Sequence, residues 1–400
     1  MGFRSVIKYA HFLRWQRLRL PAMPVFVLIL AACWPATRSQ AADAIRVAAI
    51  FSYSGAAASS NLPSVMGTRW AVKEINQNGG VLGRRIKLVE LDNRGTPIGS
   101  KVAADQAIRD GVTAIIGPAW SSHALAAARE AQAAGVPMIV NSATHPRITK
   151  IGPYIFRVCY NDLMQGRVLG RFARLDLKSA RAVILQDVRS DYSLGLAATF
   201  KTVFERLGGT VCNVLDYKAG DFDFKPMLKA AKAASPDVVF LPGHDESGAI
   251  IAQAQRIGLT VPFLGGDGWE VASFFAKGGN QLACGYYATQ WNESIESRRS
   301  KAFAAKYKHA YPFLSPAALS YDAVDLLADA IRRAGSTDRR AIRDALAQTH
   351  DFQGITGKLN FDSNGDPIKS VVMMKISAGK PSFLKQVRPG PLYSDDAAAN

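Results

Sequence analysis

From Ile45 onward, short apolar runs alternate with stretches whose apolar residues recur at helical spacing. The run IRVAAIF at 45–51 is apolar almost throughout, as a strand covered on both faces must be. A helical pattern over 66–78 stops at Gly79-Gly80, and a second strand is expected over 86–91. Thr96-Pro97 places a proline at the start of a helix running to about Asp110. A strand at 114–116, a helix at 122–134 and a strand at 138–140 complete a first series. A second follows Phe156-Arg157, with strands expected at 182–185, 210–215, 238–241 and 262–264. Helices at 194–207, 224–234 and 248–257 lie between them. This alternation predicts open parallel sheets, and two series of like rhythm predict two lobes.

The last third breaks the rhythm. Helices are expected at 298–311, 317–334 and 339–348. Apolar segments at 357–361 and 370–376 then flank Asp362-Ser363-Asn364-Gly365-Asp366. Read as a calcium loop, that turn has Pro367 where glycine is needed and Met373 where the bidentate glutamate should stand. A β-hairpin turn is the expectation.

Charge changes the picture at the N-terminus. Residues 1–42 hold six basic residues, no acidic one, an apolar run at 25–33 and a small-residue exit, the order of a secretory signal. The run is well short of the roughly 20 residues a membrane span needs. Two cleavage readings stay open: Ser39-Gln40-Ala41 suits an ordinary signal peptidase, whereas Leu30-Ala31-Ala32-Cys33 suits a lipobox that anchors the chain through Cys33. Export to the periplasm is expected. Removing the six leader charges from the formal +17 leaves +11 on about 358 residues, too many for one core. Those charges are scattered, with no run of five, so a solvated surface is expected and no nucleic acid. Cys159, Cys212 and Cys284 remain, in no zinc spacing. Any pairing among them stays open, and core roles are expected.

Candidate chemistry is mostly excluded. The segment after the first strand, Ser52-Tyr53-Ser54-Gly55, lacks the glycine spacing of a dinucleotide site, and no Walker lysine motif or Gly-x-Ser-x-Gly elbow occurs. Ser121-Ser122-His123 and His145 lack a third partner, and the six histidines form no paired spacing. No enzyme, cofactor or metal is expected. What remains is polar and aromatic residues at the ends of strands, where open α/β sheets bind ligands. These are Trp120-Ser121-Ser122, Asn141-Ser142-Ala143-Thr144, residues 187–192, Gly243-His244-Asp245-Glu246 and Gly265-Gly266-Asp267-Gly268-Trp269. Hydroxyls and helix N-terminal amides suit a carboxylate, and an acid facing them suits an ammonium. Taken singly, Ser122 reads as an N-cap and Asp267 as a turn residue.

In order along the chain, AAIFSYSG, AVKEINQNGGVLGRRIKLVELDNRGTP, IIGPAWSS, VNSAT, DYSLGLA and LGGDGW resemble the periplasmic solute-binding proteins of branched-chain amino-acid ABC transporters. The resemblance spans about 45–376. It implies a type I periplasmic binding protein: α/β, two Rossmann-like lobes with open parallel sheets joined by three hinge crossovers. Lobe I would comprise 43–157 plus 288–352, lobe II 158–287 plus 353–386, and 387–400 a tail. It assigns the ligand's amino-acid head to Ser121, the backbone around Ser142 and Ala143, and the Thr144 hydroxyl. Tyr192 and Asp267 close from the second lobe. His244 stands where the family often has another aromatic, and Trp120 sits beside the pocket, so the ligand need not be leucine, isoleucine or valine. The disulfide of one branch is absent, since Gly95 and Trp120 occupy its region. The implied partners are a small-molecule amino acid or analogue and an inner-membrane ABC permease, with the receptor a monomer. The alternative is an amide- or urea-type ligand sensor on the same fold; the exported leader favours transport.

Overall fold

The computed structural model describes residues 44–390; the cleavage signals, Cys33 and the last ten residues lie outside the described residues. The first series is β1 (Ile45–Phe51), α1 (Ala58–Gln77), β2 (Ile86–Asp92), α2 (Pro97–Arg109), β3 (Ala114–Ile116), α3 (Ser121–Ala133), β4 (Met138–Val140) and β5 (Ile155–Arg157). Its strands form a parallel sheet in the order β2-β1-β3-β4-β5. Except for half-buried Arg46, β1 is buried end to end, as its apolar run requires.

The second series is α4 (Asp162–Arg171), β6 (Arg181–Asp187), α5 (Asp191–Arg206), β7 (Thr210–Tyr217), α6 (Lys225–Ala233), β8 (Val238–Phe240), α7 (Glu246–Arg256), β9 (Phe263–Gly265), α8 (Ala272–Lys277) and β10 (Cys284–Thr289). The chain then returns to the first core through α9 (Arg298–Tyr307), α10 (Ser315–Ala334), α11 (Arg339–Ala347), β11 (Phe352–Gly354) and β12 (Gly357–Leu359). It ends with β13 (Val371–Ser377) and β14 (Lys380–Val387) in the second sheet, whose order is β14-β13-β10-β9-β8-β6-β7. That sheet is parallel from β7 to β10 and antiparallel where β13 and β14 extend it. The chain thus passes between the lobes after β5, after β10 and between β12 and β13.

Three local expectations need correction. The helix expected from residue 66 begins at Ala58 and contains Pro63, which reads as a helix stop. Its missing N–H leaves the Ser59 carbonyl without an intrahelical donor, and the Tyr311 hydroxyl donates to that oxygen instead, at 3.4 Å. Gly67 lets this helix touch α10, since a Cβ there would collide with the Ala317 carbonyl. Second, Ser122 is not an N-cap: Trp120 holds that position, and the Ser122 hydroxyl accepts from the Asp191 N–H across the cleft, at 3.1 Å. Third, residues 362–366 do form a tight turn, the Gly365 N–H donating to the Asp362 carbonyl at 3.1 Å, but the strands beside it pair elsewhere, β12 with β11 and β13 with β10 and β14. The turn is closed by a bridge between Phe361 and Pro367, with the Asp362 N–H donating to the Asp366 carbonyl at 2.8 Å and the Ile368 N–H to the Asn360 carbonyl at 3.1 Å. It exists to present Asp366 to buried Arg157, with Nε–Oδ1 at 2.6 Å. Thr149 and Asn161 donate to the same carboxylate, each at 2.8 Å. Cys159, Cys212 and Cys284 are all free thiols, with Cys159 fully buried.

Candidate functional site

The carboxyl ends of β3 and β4 face those of β6, β8 and β9 across the cleft, and the loops leaving these strands enclose one small cavity of about 60 Å³. Trp120, Ser121, Ser142, Ala143, Thr144, Tyr192, His244 and Asp267 all line it. Every expected site residue is therefore brought to one place.

On the first lobe, the loop after β3 runs straight into α3, so the amides of its first turn have no intrahelical partner. The Ser121 hydroxyl accepts from the His145 N–H at 3.2 Å, which leaves its own proton free to donate. Ser142 spends its proton on the Ala119 carbonyl, at 3.3 Å. Arg157 fixes the loop after β4 from beneath: Nη1 donates to the Ala143 carbonyl at 3.1 Å and Nη2 to the His145 carbonyl at 3.0 Å. A fully buried guanidinium is tolerated here because Asp366, Thr149 and two carbonyls answer it.

On the second lobe, Asp267 follows Gly265 and Gly266 at the end of β9. A Cβ on Gly265 would strike the Trp269 ring, and one on Gly266 would strike the Tyr192 hydroxyl. The two glycines are thus dictated by close approach. Gln165 and Gln290 each donate an amide proton to the Asp267 carboxylate at 3.1 Å, and Gln165 accepts from its backbone N–H at 2.9 Å. The Tyr192 hydroxyl accepts from the Gly268 N–H at 3.3 Å and bonds the same carboxylate. Burial pushes the Asp267 carboxyl up, against the pull of these hydrogen bonds and of the neighbouring His244. Asp162, fully buried behind Thr144, is pushed by burial to about 8. Trp120 stacks on His244 across the cleft with centroids 4.3 Å apart, and within the second lobe His244 tilts against Tyr192 at 4.9 Å. At the rim, Arg147 pairs with Asp191 at 2.8 Å.

Sequence reasoning missed Gln165, Gln290, Arg157 and Glu270. Gln165 lies on α4, whose pattern had not been read as a helix; Gln290 and Glu270 sit outside any motif and reach the cavity only through folding. The expected acid at Asp267 was a signal that an amide cradle should be sought. Among the described residues no group of His, Cys, Asp and Glu is placed to hold a metal ion, and no helix is long and apolar enough to cross a membrane.

Residues 44–381 match the family described as periplasmic binding protein. A leucine-, isoleucine-, valine-, threonine- and alanine-binding protein of Pseudomonas aeruginosa is 32% identical over 338 residues, covering 83% of this chain and 89% of that one. Among solved structures, a leucine-binding protein from Thermotoga maritima superposes with a TM-score of 0.82 at 34% identity, over 86% of this chain and 99% of that one. A branched-chain amino-acid transporter substrate-binding protein from Streptococcus pneumoniae, solved with isoleucine, gives 0.81 at 31% identity, over 86% and 100%. Matched along nearly the whole described length, in sequence and in a two-lobed fold that closes on its strand ends, this chain belongs to the periplasmic binding protein family.

Proposed function

We propose that the chain is an extracytoplasmic receptor that captures an amino acid, or a small molecule with the same head group, for an ABC transporter. The observation that carries this reading is the pairing of unlike halves in one cavity. Ser121 and the α3 amides offer donors to a carboxylate, beside Thr144, whose hydroxyl bonds Asp162; Asp267, desolvated and held mainly by neutral donors, offers a carboxylate to an ammonium. A zwitterion satisfies both halves, and a charge-assisted bond to Asp267 in a closed cleft is strong. Because that bond needs both lobes, the ligand favours the closed state by differential affinity. The relatives' names point to branched-chain amino acids, with threonine and alanine beside them in one name. In this reading the receptor acts as a monomer, docks on an inner-membrane permease and catalyses nothing.

A thermal-shift panel of amino acids on the mature protein tests the proposal. A true ligand at a hundredfold excess over its dissociation constant adds about 2.7 kcal/mol of stability. A panel with no shift from any amino acid contradicts it.

A further inference from the structure

The cavity has two ends. Trp120, Ser121 and His244 also line a larger cavity of about 370 Å³ that lies toward Lys277 and Arg189, so they mark one end. Glu270 also lines a separate cavity beside Trp291 and Tyr311, so it marks the other. At the Glu270 end the wall is unusually polar for an aliphatic side chain. Glu270 is 6% exposed, and Ser60, Ser64 and Ser315 around it are 7%, 1% and 2% exposed. Thr289 donates to Glu270 Oε2, and the Ser315 hydroxyl also bonds the carboxyl. Ser64 accepts from the Asn141 amide at 2.9 Å, which leaves its own proton for another acceptor. Ser60 lies 3.4 Å from Ser273 across the cleft. Val271 and Leu319 are the apolar part of the wall.

We propose that Glu270, with the hydroxyls of Ser60, Ser64 and Ser315, forms a second polar subsite, and that the preferred ligand is an amino acid with a short side chain ending in a hydrogen-bond donor. This rests on the reading of the cavity as an amino-acid site and adds the side chain to it. No basic side chain is among the causes acting on the Glu270 carboxyl, which burial pushes to about 8. A hydrocarbon side chain leaves that carboxyl facing carbon. Thr289 and Ser315 already bond that carboxyl, and a hydroxyl, amide or ammonium side chain adds a further partner from within the cavity. The roughly 60 Å³ of room limits the length. Of the amino acids in the relatives' names, threonine is the one whose side chain suits this end of the site.

The test is calorimetry with isosteric pairs, L-threonine against L-valine and L-asparagine against L-leucine, on the wild-type mature protein. The expected result is tighter binding of the polar member of at least one pair, by about tenfold or more. Glu270→Leu abolishes or reverses that preference, while Glu270→Gln keeps most of it, because the amide still both donates and accepts. Equal or tighter binding of valine and leucine overturns the subsite and leaves the amino-acid reading intact. Binding of none of the four, together with no response in the full amino-acid panel, overturns the amino-acid reading itself. If Glu270→Leu does not fold, the wild-type comparison and Glu270→Gln decide, a lost preference in Glu270→Gln counting against the subsite.

Discussion

At the scale of single residues, the decisive feature is a buried acid held mainly by neutral hydrogen-bond donors. Asp267 is surrounded by Gln165, Gln290 and Tyr192, which orient the carboxylate without neutralising it. Removing the charge while keeping the shape should therefore strike binding more than folding. Asp267→Asn is expected to weaken amino-acid binding by roughly 100-fold, read by calorimetry, with an unchanged urea midpoint. The buried groups also set opposite pH responses. Burial holds His123 and His145 down at about 4, so the folded chain binds fewer protons than the unfolded one between that value and the ordinary ~6.5. Their contribution is fully present above pH 6.5 and lost as pH falls through 4. Asp162 and Glu270, pushed up to about 8, act with the other sign: stability present below the ordinary carboxyl value is lost as pH rises through 8. Melting curves of the ligand-free protein at pH 5 and pH 8 check this, since Asp162→Asn should flatten the alkaline part of the decline.

At the scale of elements, the strands and most helices follow from the apolar pattern, because a two-sided sheet needs apolar runs and its covering helices need one apolar face. What the pattern concealed has physical reasons. Pro63 masks the first two turns of α1, and its cost is met by Tyr311, some 250 residues away in sequence. The 362–366 turn was legible, but the pairing of its flanking strands with other partners and the Arg157–Asp366 pair were not, since both depend on distant segments. The site was legible wherever it lay on loops after strands, at Ser121, Thr144, Tyr192 and Asp267. It was illegible at Gln165, Gln290 and Arg157, whose roles depend on long-range contact. Two predictions belong here. Asp366→Asn leaves Arg157 buried without its counter-charge and should cost about 3–5 kcal/mol in urea unfolding. It should also weaken binding, since Arg157 carries the loop at Ala143 and His145. Gly67→Ala forces α1 and α10 apart and should cost about 1–3 kcal/mol by the same measurement.

At the scale of the whole molecule, the buried Arg157–Asp366 pair joins the lobes at the hinge, whereas several contacts across the cleft itself are individually weak. The Arg147–Asp191 pair is largely exposed, and such pairs contribute about 0–1 kcal/mol. The Ser122 contact to the Asp191 N–H, the Ser60–Ser273 approach and the Trp120–His244 stack add modest polar and aromatic terms. With the Phe275–Phe313 stack these contacts meet around the cavity, and a bound molecule that spans it adds to them, which favours the closed state. The central claim is that the spanning molecule is held by its ammonium on Asp267 and its carboxylate on the first lobe. Calorimetric titration of the best-binding amino acid beside its analogue lacking only the α-amino group tests that claim most directly. The account predicts that loss of the amine weakens binding by about 100-fold or more; binding of the two within a few-fold of each other would contradict it.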